Sequence, residues 1–65
     1  FNKNDCRSMF DPIDYVIFEG LSAKQRVEKI IFMDIKSGKA RLSAKQKKIK
    51  EAVDGNKVQF KTYKP

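Results

Sequence analysis

Asp34-Ile35-Lys36 closes the apolar run Ile30-Ile31-Phe32-Met33. On a strand, residues i and i+2 share a face and lie about 7 Å apart. The Asp34 carboxylate and the Lys36 ammonium therefore emerge side by side from an element whose other residues favour burial. A lone charge there would be costly, whereas a pair of opposite charges beside a divalent cation is chemically sensible. A second acid-bearing stretch, Asp11-Pro12-Ile13-Asp14, leads into Tyr15-Val16-Ile17-Phe18. Acids at the start of one strand, followed by an acid and a lysine at the end of the next, suit metal-assisted phosphodiester hydrolysis.

Asp14 and Asp34 form the better metal-binding pair. Asp14 shares a strand face with Val16 and Phe18, and Asp34 shares one with Phe32 and Ile30. With no histidine and one cysteine in the chain, zinc is a poor fit, and oxygen ligands point to magnesium, manganese or calcium, with magnesium or manganese the cofactor expected. Two carboxylates and a backbone carbonyl would leave room for a substrate phosphate and a water. Lys36 beside that water can orient it or offset charge building on the phosphate. Asp11 precedes a proline, which biases it to an extended conformation. It reads either as an outer ligand or as a turn-former. Gln46 also has two readings: a capping-box residue with no chemical role, or a first-turn side chain that hydrogen-bonds a water or phosphate. Ser37 and Lys39, just past the strand, are candidate phosphate contacts. Arg41, Lys45 and Lys48 are candidate backbone contacts to a nucleic acid.

The chain has 65 residues and a net charge of +7, which sets one small domain as the ceiling. Residues 1–35 carry five Lys/Arg and six Asp/Glu, whereas residues 36–65 carry ten and two. A polyanion bound along the basic second half would present a phosphate to the acidic first half. The single cysteine, Cys6, excludes an internal disulfide framework. The apolar runs are far shorter than the roughly 20 residues that span a bilayer, so no membrane contact is expected in this segment. The start at Phe1 suggests a trimmed N-terminus. A cytoplasmic setting is slightly favoured, with an upstream export signal or anchor left open.

Behind these residues the sequence predicts an α/β domain in β-β-α-β order: a small mixed sheet with one helix packed on it. Residues 1–10 read as an irregular arm and 11–63 as the core. Residues 13–18 form a strand, ended by Glu19-Gly20. Residues 20–26 form a loop, with one helical turn as an alternative because Ser22 and Gln25 have capping-box spacing. Residues 27–36 form a second strand, antiparallel to the first. Ser43 is a helix N-cap with Gln46 three residues on, Leu42 is a staple, and Ile49, Ala52 and Val53 extend the apolar stripe. Gly55 is the expected stop. Val58, Phe60 and Thr62 alternate as a last strand ending before Pro65, parallel to the second. Leu-Ser-Ala-Lys-Gln occurs at both 21–25 and 42–46, yet only the second copy continues with helical periodicity.

An acid at one strand's start, acid-x-lysine at the next strand's end, and then a helix resembles the PD-(D/E)XK nuclease superfamily. Within it, Phe10-Asp11-Pro12-Ile13-Asp14-Tyr15-Val16-Ile17-Phe18-Glu19-Gly20-Leu21-Ser22 and Ile31-Phe32-Met33-Asp34-Ile35-Lys36-Ser37-Gly38-Lys39-Ala40-Arg41-Leu42-Ser43 are similar to endonuclease-like proteins related to archaeal Holliday-junction resolvases. The resemblance covers most of residues 10–60. It implies a truncated restriction-endonuclease-like core and a magnesium-dependent endonuclease acting on DNA, with branched or Holliday-junction DNA as a candidate substrate. It also implies Asp14 and Asp34 as metal-binding acids, Lys36 as the catalytic lysine and Gln46 near the site. A homodimer follows by analogy. Asp34 stands where glutamate is commoner, and the N-terminal helix of the superfamily is not visible. The competing readings are a non-catalytic basic nucleic-acid-binding module and a structural or oligomerisation domain whose acids only cap strands.

Overall fold

Tyr15-Val16-Ile17-Phe18 and Ile30-Ile31-Phe32-Met33 are β-branched and aromatic runs, and they pair. In the computed structural model, which describes residues 2–64, β2 (Tyr15–Glu19) and β3 (Lys29–Met33) form an antiparallel ladder. Its register runs from Tyr15 opposite Met33 to Glu19 opposite Lys29. Phe1, on which the trimmed-terminus reading rests, and Pro65 lie outside the described residues. A short strand, β1 (Cys6–Ser8), pairs antiparallel with the other edge of β2, giving the sheet order β1-β2-β3. The protein is a small α/β fold: this three-stranded sheet, one turn of helix α1 (Leu21–Lys24) between β2 and β3, and one main helix, α2 (Ala44–Asp54).

Three expectations change. The arm is not wholly irregular, because Lys3–Asp5 forms a 3-10 turn that leads into β1. Strand β1 lacks the apolar alternation that would mark it, since its pairing comes from β2. The last strand is not formed among the described residues, so no strand parallel to β3 is present; the order is β1-β2-α1-β3-α2, with no strand after the main helix. Val58, Phe60 and Tyr63 are exposed, Phe60 at 94%. Alternation specifies a strand only where an edge is there to pair with it. Ser22 and Gln25 do not cap α1: its N-cap is Gly20, with no side-chain bond, and Gln25 is the C-cap. Gly20 has φ +97, and a Cβ there would stand 2.8 Å from the Arg26 carbonyl oxygen, so the turn requires glycine.

The core is small. Among apolar residues Ile17 is fully buried and Ile13 nearly so. The third buried side chain is an acid, Asp5, at 1% exposure. Its carboxylate accepts from the Ser22 amide at 2.7 Å and the Gly20 amide at 3.1 Å. It thus supplies from the N-terminal arm the cap that α1 lacks. Hydrogen bonding from the Ser22 side chain, opposed by burial and aided by the two amides and Arg7, holds the Asp5 carboxyl below its ordinary value. A carboxyl lowered by folding stabilises the protein above its unfolded-state value, and that contribution is lost as pH falls through the folded value. Asp5→Asn is therefore expected to melt at a lower temperature than the parent near pH 7. The gap should narrow as pH drops below about 4, where unfolded-state aspartates protonate. Thermal denaturation across pH reads this, and a gap that widens in acid would contradict it.

Helix α2 forms as its caps predict. Ser43 Oγ accepts from the Gln46 amide at 3.2 Å, and Gln46 Oε1 accepts from the Ser43 amide at 2.9 Å, closing the capping box. Gly55 stops the helix, its amide donating to the Glu51 carbonyl, while Asn56 takes the left-handed conformation one residue later.

Candidate functional site at the ends of β2 and β3

The β2–β3 register is the first determinant of the site. Val16 lies opposite Phe32 and Tyr15 opposite Met33, so one further rung would set Asp14 opposite Asp34. The ladder stops before that rung, and the Asp14 side chain takes over. Its Oδ2 accepts from the Ile35 amide at 2.8 Å, which ties the entry of β2 to the exit of β3. Asp14 is thereby held against the backbone between Asp34 and Lys36.

The second determinant is Gln46. Its Nε2 donates to Asp34 Oδ1 at 3.1 Å and to the Pro12 carbonyl at 2.8 Å. Meanwhile Oε1 serves the helix cap. The two sequence readings of Gln46 are thus compatible: its two ends do different jobs, capping α2 and fastening it to Asp34. The Pro12 carbonyl had no signal in the sequence, because carbonyl acceptors are set by geometry and not by side-chain type.

The Asp34 side chain is only 8% exposed, and Lys36 Nζ, on a side chain 32% exposed, stands 2.7 Å from its Oδ2. That contact is ionic in distance but not aligned as a hydrogen bond, so Oδ2 is buried without a hydrogen-bond donor. A buried oxygen with an unfilled lone pair, facing a cation, has the chemistry of a ligand for a hard metal. Among the described residues no three His, Cys, Asp or Glu side chains cluster, so a cation here would draw on at most two carboxylates. Magnesium commonly uses one or two carboxylates and fills its remaining positions with water and substrate phosphate, which such a set allows.

The other predicted residues divide clearly. Asp11 is exposed, with its amide bonded to the Met9 carbonyl, and it belongs to the bend before β2. Ser37 and Lys39 lie in the exposed turn after β3, where the Ala40 amide donates to the Ser37 carbonyl at 3.1 Å. Arg41, Lys45 and Lys48 are exposed on the loop and on α2. Between α2 and the sheet lies a cavity of about 300 Å³, bordered by Ile13, Phe32, Asp34, Leu42, Gln46 and Ile49.

A sheet with an acid just before one strand and acid-x-lysine just after the next, locked by a helix glutamine, defines a candidate hydrolytic site on an α/β frame. The chain matches over residues 1–65 the family described as endonuclease related to archaeal Holliday junction resolvase, and it belongs to that family. No curated protein and no solved structure gives a match. Among the described residues no helix is long and apolar enough to cross a membrane.

Proposed function

We propose that this protein is a divalent-metal-dependent endonuclease that hydrolyses DNA phosphodiester bonds at the Asp14–Asp34–Lys36 site. One observation carries the reading. In a member of an endonuclease family, an enclosed aspartate with an undonated oxygen faces a lysine ammonium at 2.7 Å. Asp14 and Asp34 would hold magnesium or manganese. When bound, such an ion supplies Lewis acidity and a water ionised at neutral pH. Lys36 holds positive charge where the attacking water and the phosphate oxygens meet, and it lowers the cost of negative charge developing there. Gln46 keeps Asp34 oriented. Lys39, Arg41, Lys45 and Lys48 neutralise flanking phosphates, and Ser37 offers a hydroxyl.

The family's relation to Holliday junction resolvases makes branched DNA the first substrate to test. A four-way junction has twofold symmetry, so paired cuts call for two copies of the chain. Supercoiled plasmid and a synthetic four-way junction should be cut in magnesium or manganese and left intact in chelator. Calorimetry should show manganese uptake that Asp34→Asn abolishes. Tight binding to the junction that chelator leaves unchanged, without cleavage in any metal, would replace this reading with that of a basic nucleic-acid-binding module.

A further inference from the structure

The face of the sheet turned away from Phe32 and α2 carries a second concavity that the hydrolytic site does not use. Ser8, Tyr15 and Met33 stand at one rung across all three strands, Ser8 opposite Tyr15 and Tyr15 opposite Met33. Ile35 follows two residues after Met33. Lys3 and Asn4, from the turn before β1, close one side, and the cavity measures about 530 Å³.

We propose that this groove receives one unpaired base of the nucleic acid whose backbone lies at Asp34 and Lys36. The inference rests on the nuclease reading for its substrate but on separate residues for its site. The Tyr15 ring offers a stacking surface. Met33 and Ile35 supply the polarisable and aliphatic contacts that enclose a flat ring. The Asn4 amide and Ser8 hydroxyl are donors and acceptors suited to a base edge. Among the described residues Lys3 is the only charged one lining the cavity, and it would attract an attached phosphate. The concavity on the α2 side is a poorer host, being smaller and bordered by Asp34 and Asp54.

Ile35 joins the two sites. Its amide is held by Asp14, and its side chain, in a residue 62% exposed, borders the groove. Its sequence neighbours are Asp34 and Lys36. Asp34 borders the cavity beside α2 and Ile35 the groove, so base and phosphate would be gripped by consecutive residues of one segment. In an intact duplex every base is stacked and must first be extruded. At a branch, gap or single-stranded end it is already free. The groove would therefore favour such DNA without reading its sequence.

The test uses the whole protein in chelator, so that it reads binding and not cleavage. The oligonucleotide of four thymidines is titrated while the Met33 and Ile35 methyl and Tyr15 ring resonances are followed by NMR, with inorganic phosphate as the comparison. The expected result is saturable shifts at all three residues with the oligonucleotide and none with phosphate. Tyr15→Phe should keep them, and Ile35→Ser, at an exposed position, should weaken binding about fivefold or more. Shifts confined to the lysines, or equal shifts with phosphate alone, would overturn the proposal. If metal-dependent cutting persists alongside that negative result, the nuclease reading stands and only the groove falls. If the shifts appear without cutting in any metal, the groove stands and the nuclease reading falls.

Discussion

Lys36→Ala is expected to reduce DNA cleavage by about 10²- to 10⁴-fold, the usual range for losing a positioned proton-transfer or charge-stabilising group. The side chain is partly exposed and sits on the last residues of a strand exit, outside the β2–β3 ladder. Its loss removes no backbone hydrogen bond, and the fold should persist. Manganese affinity gives the sharper reading. Lys36 Nζ now stands 2.7 Å from the Asp34 oxygen that would bind the ion. Removing it relieves a competition between two cations for one carboxylate. Lys36→Ala should therefore keep or strengthen manganese uptake while abolishing turnover, whereas Asp34→Asn should lose both. Equal loss of uptake and turnover in Lys36→Ala would mean that the lysine only orders the carboxylate. Unchanged turnover would remove it from the chemistry altogether.

Much of this site was legible because its parts are short-range. Asp34 and Lys36 are two residues apart and meet as an ion pair, although the strand expected to run through residue 36 ends at Met33. Ser43 and Gln46 are three apart, and a capping box fixes their relation. The antiparallel pairing of β2 and β3 followed from two apolar runs separated by a glycine break. The missing information was long-range. The bond between Asp14 and the Ile35 amide spans 21 residues, and it depends on a register that composition does not encode. The Asp5 cap on α1 has the same origin. Cys6-Arg7-Ser8 became a strand because β2 offered an edge, and not because of its own pattern. Val58 and Phe60 show the converse case, where the pattern is present and the pairing is not.

Gln46 produces the largest structural effect, because one side chain carries three interactions. Gln46→Ala removes the side-chain half of the capping box, a change of about 1 kcal/mol in typical helices. It also removes the donor to Pro12 and the donor to Asp34, the latter a charged acceptor, at about 1–3 kcal/mol each. Single small domains have a total stability of only about 0.05–0.15 kcal/mol per residue. The variant should therefore lose most of its helical circular dichroism or its cooperative melt, and cleavage with it. Gln46→Glu separates the roles. Glutamate is the alternative capping-box residue, so the Ser43 amide keeps its acceptor and α2 keeps its start. It has no N–H to give, however, and it turns a carboxylate toward the enclosed Asp34. Helicity near neutral pH should survive better than in Gln46→Ala, while cleavage falls. Acidification through the carboxylate range protonates the introduced glutamate. Gln46→Glu should consequently regain stability there relative to the parent protein. Melting curves for both variants across pH decide the matter. If Gln46→Ala melts within about 1 °C of the parent, less than a quarter of a kcal/mol for a domain of this size, then α2 is held by its apolar stripe alone. The glutamine would then be only a cap, and the tie between helix and acid would have no energetic weight.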